Sequence, residues 1–290
     1  MSDFKITLFN NTQNQLGESP LWHPMLAKLF WVDINGKLLF CRSLDEPANA
    51  YSVEMPFIVT AIAWQDKEHL ILGTESGIYR YNIKRKIPQL ITELESGDSN
   101  RRSNDGRADP WGGFWLSTMD MTAEKGQGKI YRYYKKKLNC IVTNLTIPNG
   151  LCFDKARSRG YYCDSFTSCI YVLDLDVNTG EVAGTAKVFY QFNNTDVDPD
   201  GCVVDSIGNL WLAVWGMGCI MCLSPDAEVI HTIKVNNLNP TCTAFGGKQG
   251  ELLFVTSAVC ESNKDLQNIQ GTTLKISGIK NGQLEPPVIL

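Results

Sequence analysis

Histidine is nearly absent: the 290 residues contain only three, His23, His69 and His231, with no HxH or HxxxH spacing among them. A histidine-built zinc or iron centre is therefore excluded. Long apolar runs are missing as well. No stretch approaches the roughly twenty apolar residues that a bilayer-spanning helix requires, and the start, Met1-Ser2-Asp3-Phe4-Lys5, lacks the apolar core of an export signal. There is no excess of positive charge, since 27 basic side chains face 31 acidic ones for a formal net charge of −4. A nucleic-acid partner, which requires a clustered positive face, is not expected. The basic run Lys135-Lys136-Lys137 reads as a solvated hairpin turn. Neither a GxSxG elbow, nor a Walker A loop, nor a GxGxxG fingerprint occurs. The expectation is a soluble, cytoplasmic protein with no membrane partner.

Cysteine, by contrast, is plentiful, with ten residues. Without an export signal these should be free thiols in a reducing compartment. Only Cys219 and Cys222 form a CxxC, and they fall in a run that reads as a strand. Strand positions three apart point to opposite faces, so the pair cannot readily grip one metal. The thiols read as small buried hydrophobes, and any bound metal is expected to have oxygen ligands.

Short β-rich runs separated by turn residues dominate the chain. Six of them share a pattern of apolar residues ending in Asp, Thr or Val, at Asp33, Thr74, Thr118, Asp164, Val214 and Thr256. A period in the forties with several strands per unit predicts a β-propeller. Six units make one all-β, six-bladed propeller spanning residues 1–290 as a single domain. The alternating segment Phe4-Lys5-Ile6-Thr7-Leu8-Phe9 is predicted to complete the last blade and so remove open sheet edges.

Upstream of the marker runs a polar slot recurs. Glu18, Asn104, Asn149 and Asp200 precede Asp33, Thr118, Asp164 and Val214 by nearly constant intervals. In a propeller the innermost strands line the central channel, so these four residues should converge near the axis. Two carboxylates and two carboxamides form an oxygen-only set suited to a hard divalent cation such as Ca²⁺, Mg²⁺ or Mn²⁺. Taken singly, each is equally a turn former or a cap; the shared register is what favours a site. Asp109, Asp154 and Asp205, each five residues after the slot, read as turn residues inside their blades.

The motifs Leu16-Gly17-Glu18-Ser19-Pro20-Leu21-Trp22, Asn104-Asp105-Gly106, Pro148-Asn149-Gly150-Leu151 and Pro199-Asp200-Gly201 resemble those of the senescence-marker-protein/gluconolactonase/regucalcin family. The resemblance spans the whole chain. It implies a six-bladed propeller that hydrolyses a sugar lactone, such as glucono- or xylonolactone, to the aldonic acid with one divalent cation (Ca, Mg, Mn, Zn or Fe). It further implies Glu18, Asn149 and Asp200 as metal ligands, with Asp200 also the catalytic base. Arg102 and Asn104 would bind substrate, with Arg101 the adjacent alternative to Arg102. Some members place a Glu shortly after the Thr-Met of the third blade. Here the run is Thr118-Met119-Asp120-Met121-Thr122, which makes Asp120 the candidate for that substrate contact. The Asp120–Gly128 stretch is either a flap over the channel mouth or a plain surface hairpin. The other functions consistent with the resemblance are a non-catalytic calcium- or ligand-binding regulator and a broader metal-dependent esterase.

Overall fold

The structure, a computed structural model, describes residues 4–45, 50–194, 197–235, 239–259 and 270–290. Within them lie six four-stranded antiparallel sheets. Five are sequential meanders: blade 1 (17–54), blade 2 (59–93), blade 3 (101–145), blade 4 (148–191) and blade 5 (198–234). Blade 6 is built from both ends of the chain. Its inner strands, Asn239–Gly246 and Leu252–Ala258, pair with each other and then with Thr273–Ser277. The N-terminal strand Lys5–Asn10 adds the outer edge, with Ile6 opposite Ile276. Sequence thus anticipated both the six-bladed propeller and the way its ring closes.

Each sheet is buried on both faces between neighbouring blades, and strand periodicity sorts the side chains. In blade 2 the consecutive residues Leu70, Ile71 and Leu72 are all buried. Leu70 and Leu72 join the core shared with blade 1, whereas Ile71 joins the core shared with blade 3. Burying one such side chain contributes about 1.5–3 kcal/mol. Cys219 and Cys222 likewise enter two different cores, as their spacing predicted. Eight of the nine free cysteines among the described residues are buried, and only Cys140 is exposed. Cys260 lies outside the described residues.

The Lys135–Lys137 run does form a hairpin turn, entered by Lys135 and Lys136 in left-handed backbone. The turn role of Asp109 and Asp205 is also realised. Asp109 accepts from the Trp111 and Gly113 amides and Asp205 from the Ile207 and Asn209 amides, while their second oxygens hold the Trp115 and Trp211 indoles. Asp154 accepts from the Arg157 amide in the corresponding turn. No helix among the described residues is long and apolar enough to cross a membrane.

One irregularity recurs and positions the site. The innermost strand of every blade slips register against its neighbour near its start: between Glu18 and Leu21, Val59 and Ala61, Ser103 and Gly106, Asn149 and Cys152, Pro199 and Cys202, and Pro240 and Thr243. A bulge bends the strand and re-aims the side chains beside it. The four polar-slot residues sit at or next to this bulge. In blade 4 it depends on Gly150, whose φ is 65°. A Cβ there would meet Cys163 Sγ at 2.9 Å and Asp200 O at 3.1 Å, so glycine is required for both conformation and space.

Candidate active site

Glu18, Asn104, Asn149 and Asp200 come together as their register predicted. With Arg102 they line one cavity of about 240 Å³ at the starts of the inner strands. Asp198 and Ser165 complete its polar lining, and Leu16, Ile34, Met119, Ile147 and Trp215 form apolar walls. Another cavity of about 220 Å³ opens at the other ends of the inner strands. Its principal charges, Arg107 and Glu285, are already paired with each other, and it contains none of the slot residues.

Local structure holds each slot residue in place. In blade 1, Asp33 accepts from the Gln15 and Leu16 amides at 2.8 and 3.0 Å, fixing the chain just before Glu18. Asp164 does the same in blade 4, accepting from Thr146 and Ile147 at 2.9 Å each, just before Asn149. Asp105 bridges blades: one carboxylate oxygen accepts from the Leu151 amide at 2.8 Å and the other from Gly106 at 2.8 Å. Asn104 Nδ2 donates to Asn149 Oδ1 at 2.7 Å, and Asn149 Nδ2 donates to Ser165 Oγ at 2.9 Å. The marker aspartates were visible in the sequence only as strand ends. Their equal offset from Glu18 and Asn149 is the signal that could have assigned them this holding role.

Electrostatics set the carboxylates apart from the rest of the surface. Burial pushes the Glu18 carboxyl up to about 8, and the neighbouring Asp105 adds to the rise. Asp200 is raised well above the carboxylate range, first by burial and then by Glu18 and Asp105. Burial lowers Arg102, opposed by Glu18 and Asp200. Glu18 and Asp200 thus face each other and Asp105 with Arg102 and Arg107 as the opposing charges, and burial disfavours the negative form unless further positive charge is added. Among the described residues no three His, Cys, Asp or Glu side chains cluster as a metal set. A cation here would therefore take a carboxamide oxygen beside the two carboxylates, and oxygen donors of this kind fit a hard divalent ion.

The two adjacent arginines separate cleanly. Arg102 Nη1 donates to Ser103 O and Asn104 Oδ1 at 2.8 Å each, within the site. Arg101 faces the other way. Its Nε donates to Asp98 Oδ2 at 2.8 Å, and its Nη1 donates to Gln127 O at 2.6 Å, tying down the 120–128 turn. Asp120 is also engaged elsewhere. Its Oδ1 accepts from the Thr122 amide and hydroxyl at 2.8 and 2.6 Å, and it does not belong to the cavity lining. Asp120 thus anchors a hydrogen-bonded turn directly after the cavity-lining Met119.

Comparison with known proteins agrees with this picture. Residues 16–259 match the family described as SMP-30/Gluconolactonase/LRE-like region. The chain is 31% identical over 258 residues to the L-arabinolactonase of Azospirillum brasilense, covering 87% of this chain and 84% of that protein. It is 28% identical to the regucalcin of Gallus gallus over 96% of each chain. The crystal structure of a calcium-binding protein, regucalcin, from Agrobacterium tumefaciens superposes with a TM-score of 0.94 at 30% identity, covering 99% and 98% of the two chains.

Proposed function

Because the chain belongs to the SMP-30/gluconolactonase/LRE-like family, we propose that the cavity hydrolyses a sugar lactone with the help of one divalent cation. The observation that carries this reading is the convergence of Glu18, Asn149 and Asp200 with Arg102 and Asn104 in one pocket. Lactonases among the relatives, such as the L-arabinolactonase, support the substrate class.

Glu18, Asn149 Oδ1 and Asp200 would hold the cation, with Asp198 beside them at the cavity wall. A divalent cation bound there would supply Lewis acidity toward the ester carbonyl. The remaining work falls to the chain itself. Among the described residues Arg102 makes its hydrogen bonds with Nη1, which leaves Nη2 and Nε as directed donors for sugar oxygens. The apolar walls narrow the pocket and limit water. Asp200, once deprotonated, takes a proton from the attacking water as its oxygen bonds to the carbonyl carbon. It then returns that proton to the ring oxygen as the ring C–O bond breaks, giving the hydroxy acid. Arg102, half-buried beside the two carboxylates, thus places donors where a lactone's oxygens would lie.

The test is acid release from glucono-, xylono-, arabino- and galactonolactone, each crossed with Mg²⁺, Ca²⁺, Mn²⁺ and Zn²⁺. Hydrolysis of at least one lactone that depends on added cation is expected. Silence across the panel with cation bound would remove the enzymatic reading.

A further inference from the structure

We infer that Ser165 fixes which end of the Asn149 carboxamide serves the candidate cation site. The inference rests on the site reading above and extends it to a residue outside the proposed ligands. A chain of hydrogen bonds crosses blades 3, 4 and 5. Arg102 Nη1 donates to Asn104 Oδ1 at 2.8 Å, and Asn104 Nδ2 donates to Asn149 Oδ1 at 2.7 Å. Asn149 Nδ2 donates to Ser165 Oγ at 2.9 Å, and Ser165 Oγ donates to Pro199 O at 2.7 Å.

The direction of this chain is set chemically at both ends. A guanidinium can only donate, and the carbonyl oxygen of Pro199 can only accept. Reversing either amide would set donor against donor at one junction and acceptor against acceptor at the other. A carboxamide has no shape preference between its two ends, so only its partners decide. The serine hydroxyl has one proton, and Pro199 O takes it. Toward Asn149 it can therefore only accept, which holds Nδ2 on the Ser165 side and Oδ1 on the Asn104 side. Oδ1 has two lone pairs, one for Asn104 Nδ2 and one left for a cation. Ser165 is 6% exposed and sits on the cavity wall beside Asn149. The same hydroxyl contacts the residue preceding Asp200, which links the strands that carry two proposed ligands. Ser165 is thus a positioning residue, acting through Asn149.

The test is Mn²⁺ titration by calorimetry on the wild type, Ser165→Ala, Asn149→Asp and the double variant, with thermal unfolding in parallel. Ser165→Ala should weaken Mn²⁺ binding about 10–100-fold, the usual cost of losing a partner that orients a ligand. Ser165→Thr, which keeps the hydroxyl, should restore most of it. In the Asn149→Asp background the loss should shrink to about twofold, because a carboxylate offers oxygen at either end. Should Ser165→Ala unfold, Ser165→Cys gives the same comparison with a weaker acceptor. Wild-type affinity in Ser165→Ala, or an equal loss in both backgrounds, would overturn the inference and leave the site reading standing. A wild type that takes up no cation would overturn both.

Discussion

Cation binding to this pocket should expel protons, and the amount follows from the structure. Burial and the Asp105 charge hold the Glu18 carboxyl at about 8 in the cation-free protein. At pH 7 Glu18 is therefore mostly protonated, and binding a cation to the carboxylates must release most of a proton from the Glu18–Asp200 pair. Asp200 is raised by the same causes. Above about pH 8 the Glu18 contribution falls away. The apparent cation affinity should accordingly rise about tenfold per pH unit below pH 8 from Glu18 alone, and more steeply with Asp200. Mn²⁺ titrations at pH 7 in phosphate and in Tris, whose ionisation enthalpies differ, measure the released protons directly. Glu18→Gln should lower the count by about one proton and weaken binding. Equal apparent enthalpies in the two buffers, together with an affinity flat from pH 6 to 9, would refute the reasoning.

The same shifts carry a sign for stability. Glu18 and Asp200 bind protons more tightly folded than unfolded, so their contribution is complete below the ordinary carboxylate range and is lost as pH rises through about 8 for Glu18. Melting of chelator-treated protein followed by circular dichroism should show Tm falling from pH 5 to 8, with saturating Mn²⁺ reducing the fall; a Tm that is flat with pH would contradict this. Arg102→Ala should raise KM for the lactone about 10–100-fold, the cost of removing a charged hydrogen-bond donor. Arg101→Ala should leave KM nearly unchanged while speeding proteolysis within 120–128, and steady-state kinetics with limited trypsin digestion separates the two. Gly150→Ala forces a side chain into left-handed backbone against Cys163 Sγ, which should lower stability by about 1–3 kcal/mol in urea unfolding.

The parts of this structure that were legible from sequence are those governed by local period. Strand runs recurring every forty-odd residues fixed the number of blades, and constant offsets brought Glu18, Asn104, Asn149 and Asp200 into one pocket. The alternation of Phe4–Phe9 was enough to assign the ring closure, because an unpaired sheet edge is costly. What sequence did not reveal depends on partners far along the chain. The bulge that aims the slot residues looks, in one dimension, like an ordinary Asn-Gly or Asp-Gly turn. Glu285 reaches Arg107 from near the C-terminus, 178 residues further along the chain, and no periodicity predicts that meeting. Asp120 has a local partner that its spacing alone did not reveal: a threonine two residues later offers both an amide and a hydroxyl to one carboxylate oxygen. Ser165 was overlooked because its importance lies in one proton given to Pro199.

The most direct test of the site is an anomalous diffraction map from crystals grown with Mn²⁺. One strong peak is predicted, within about 2.5 Å of an oxygen from each of Glu18, Asn149 and Asp200. A peak elsewhere, or none in protein that hydrolyses lactone in a Mn²⁺-dependent manner, would contradict the assignment of these three residues as the cation site.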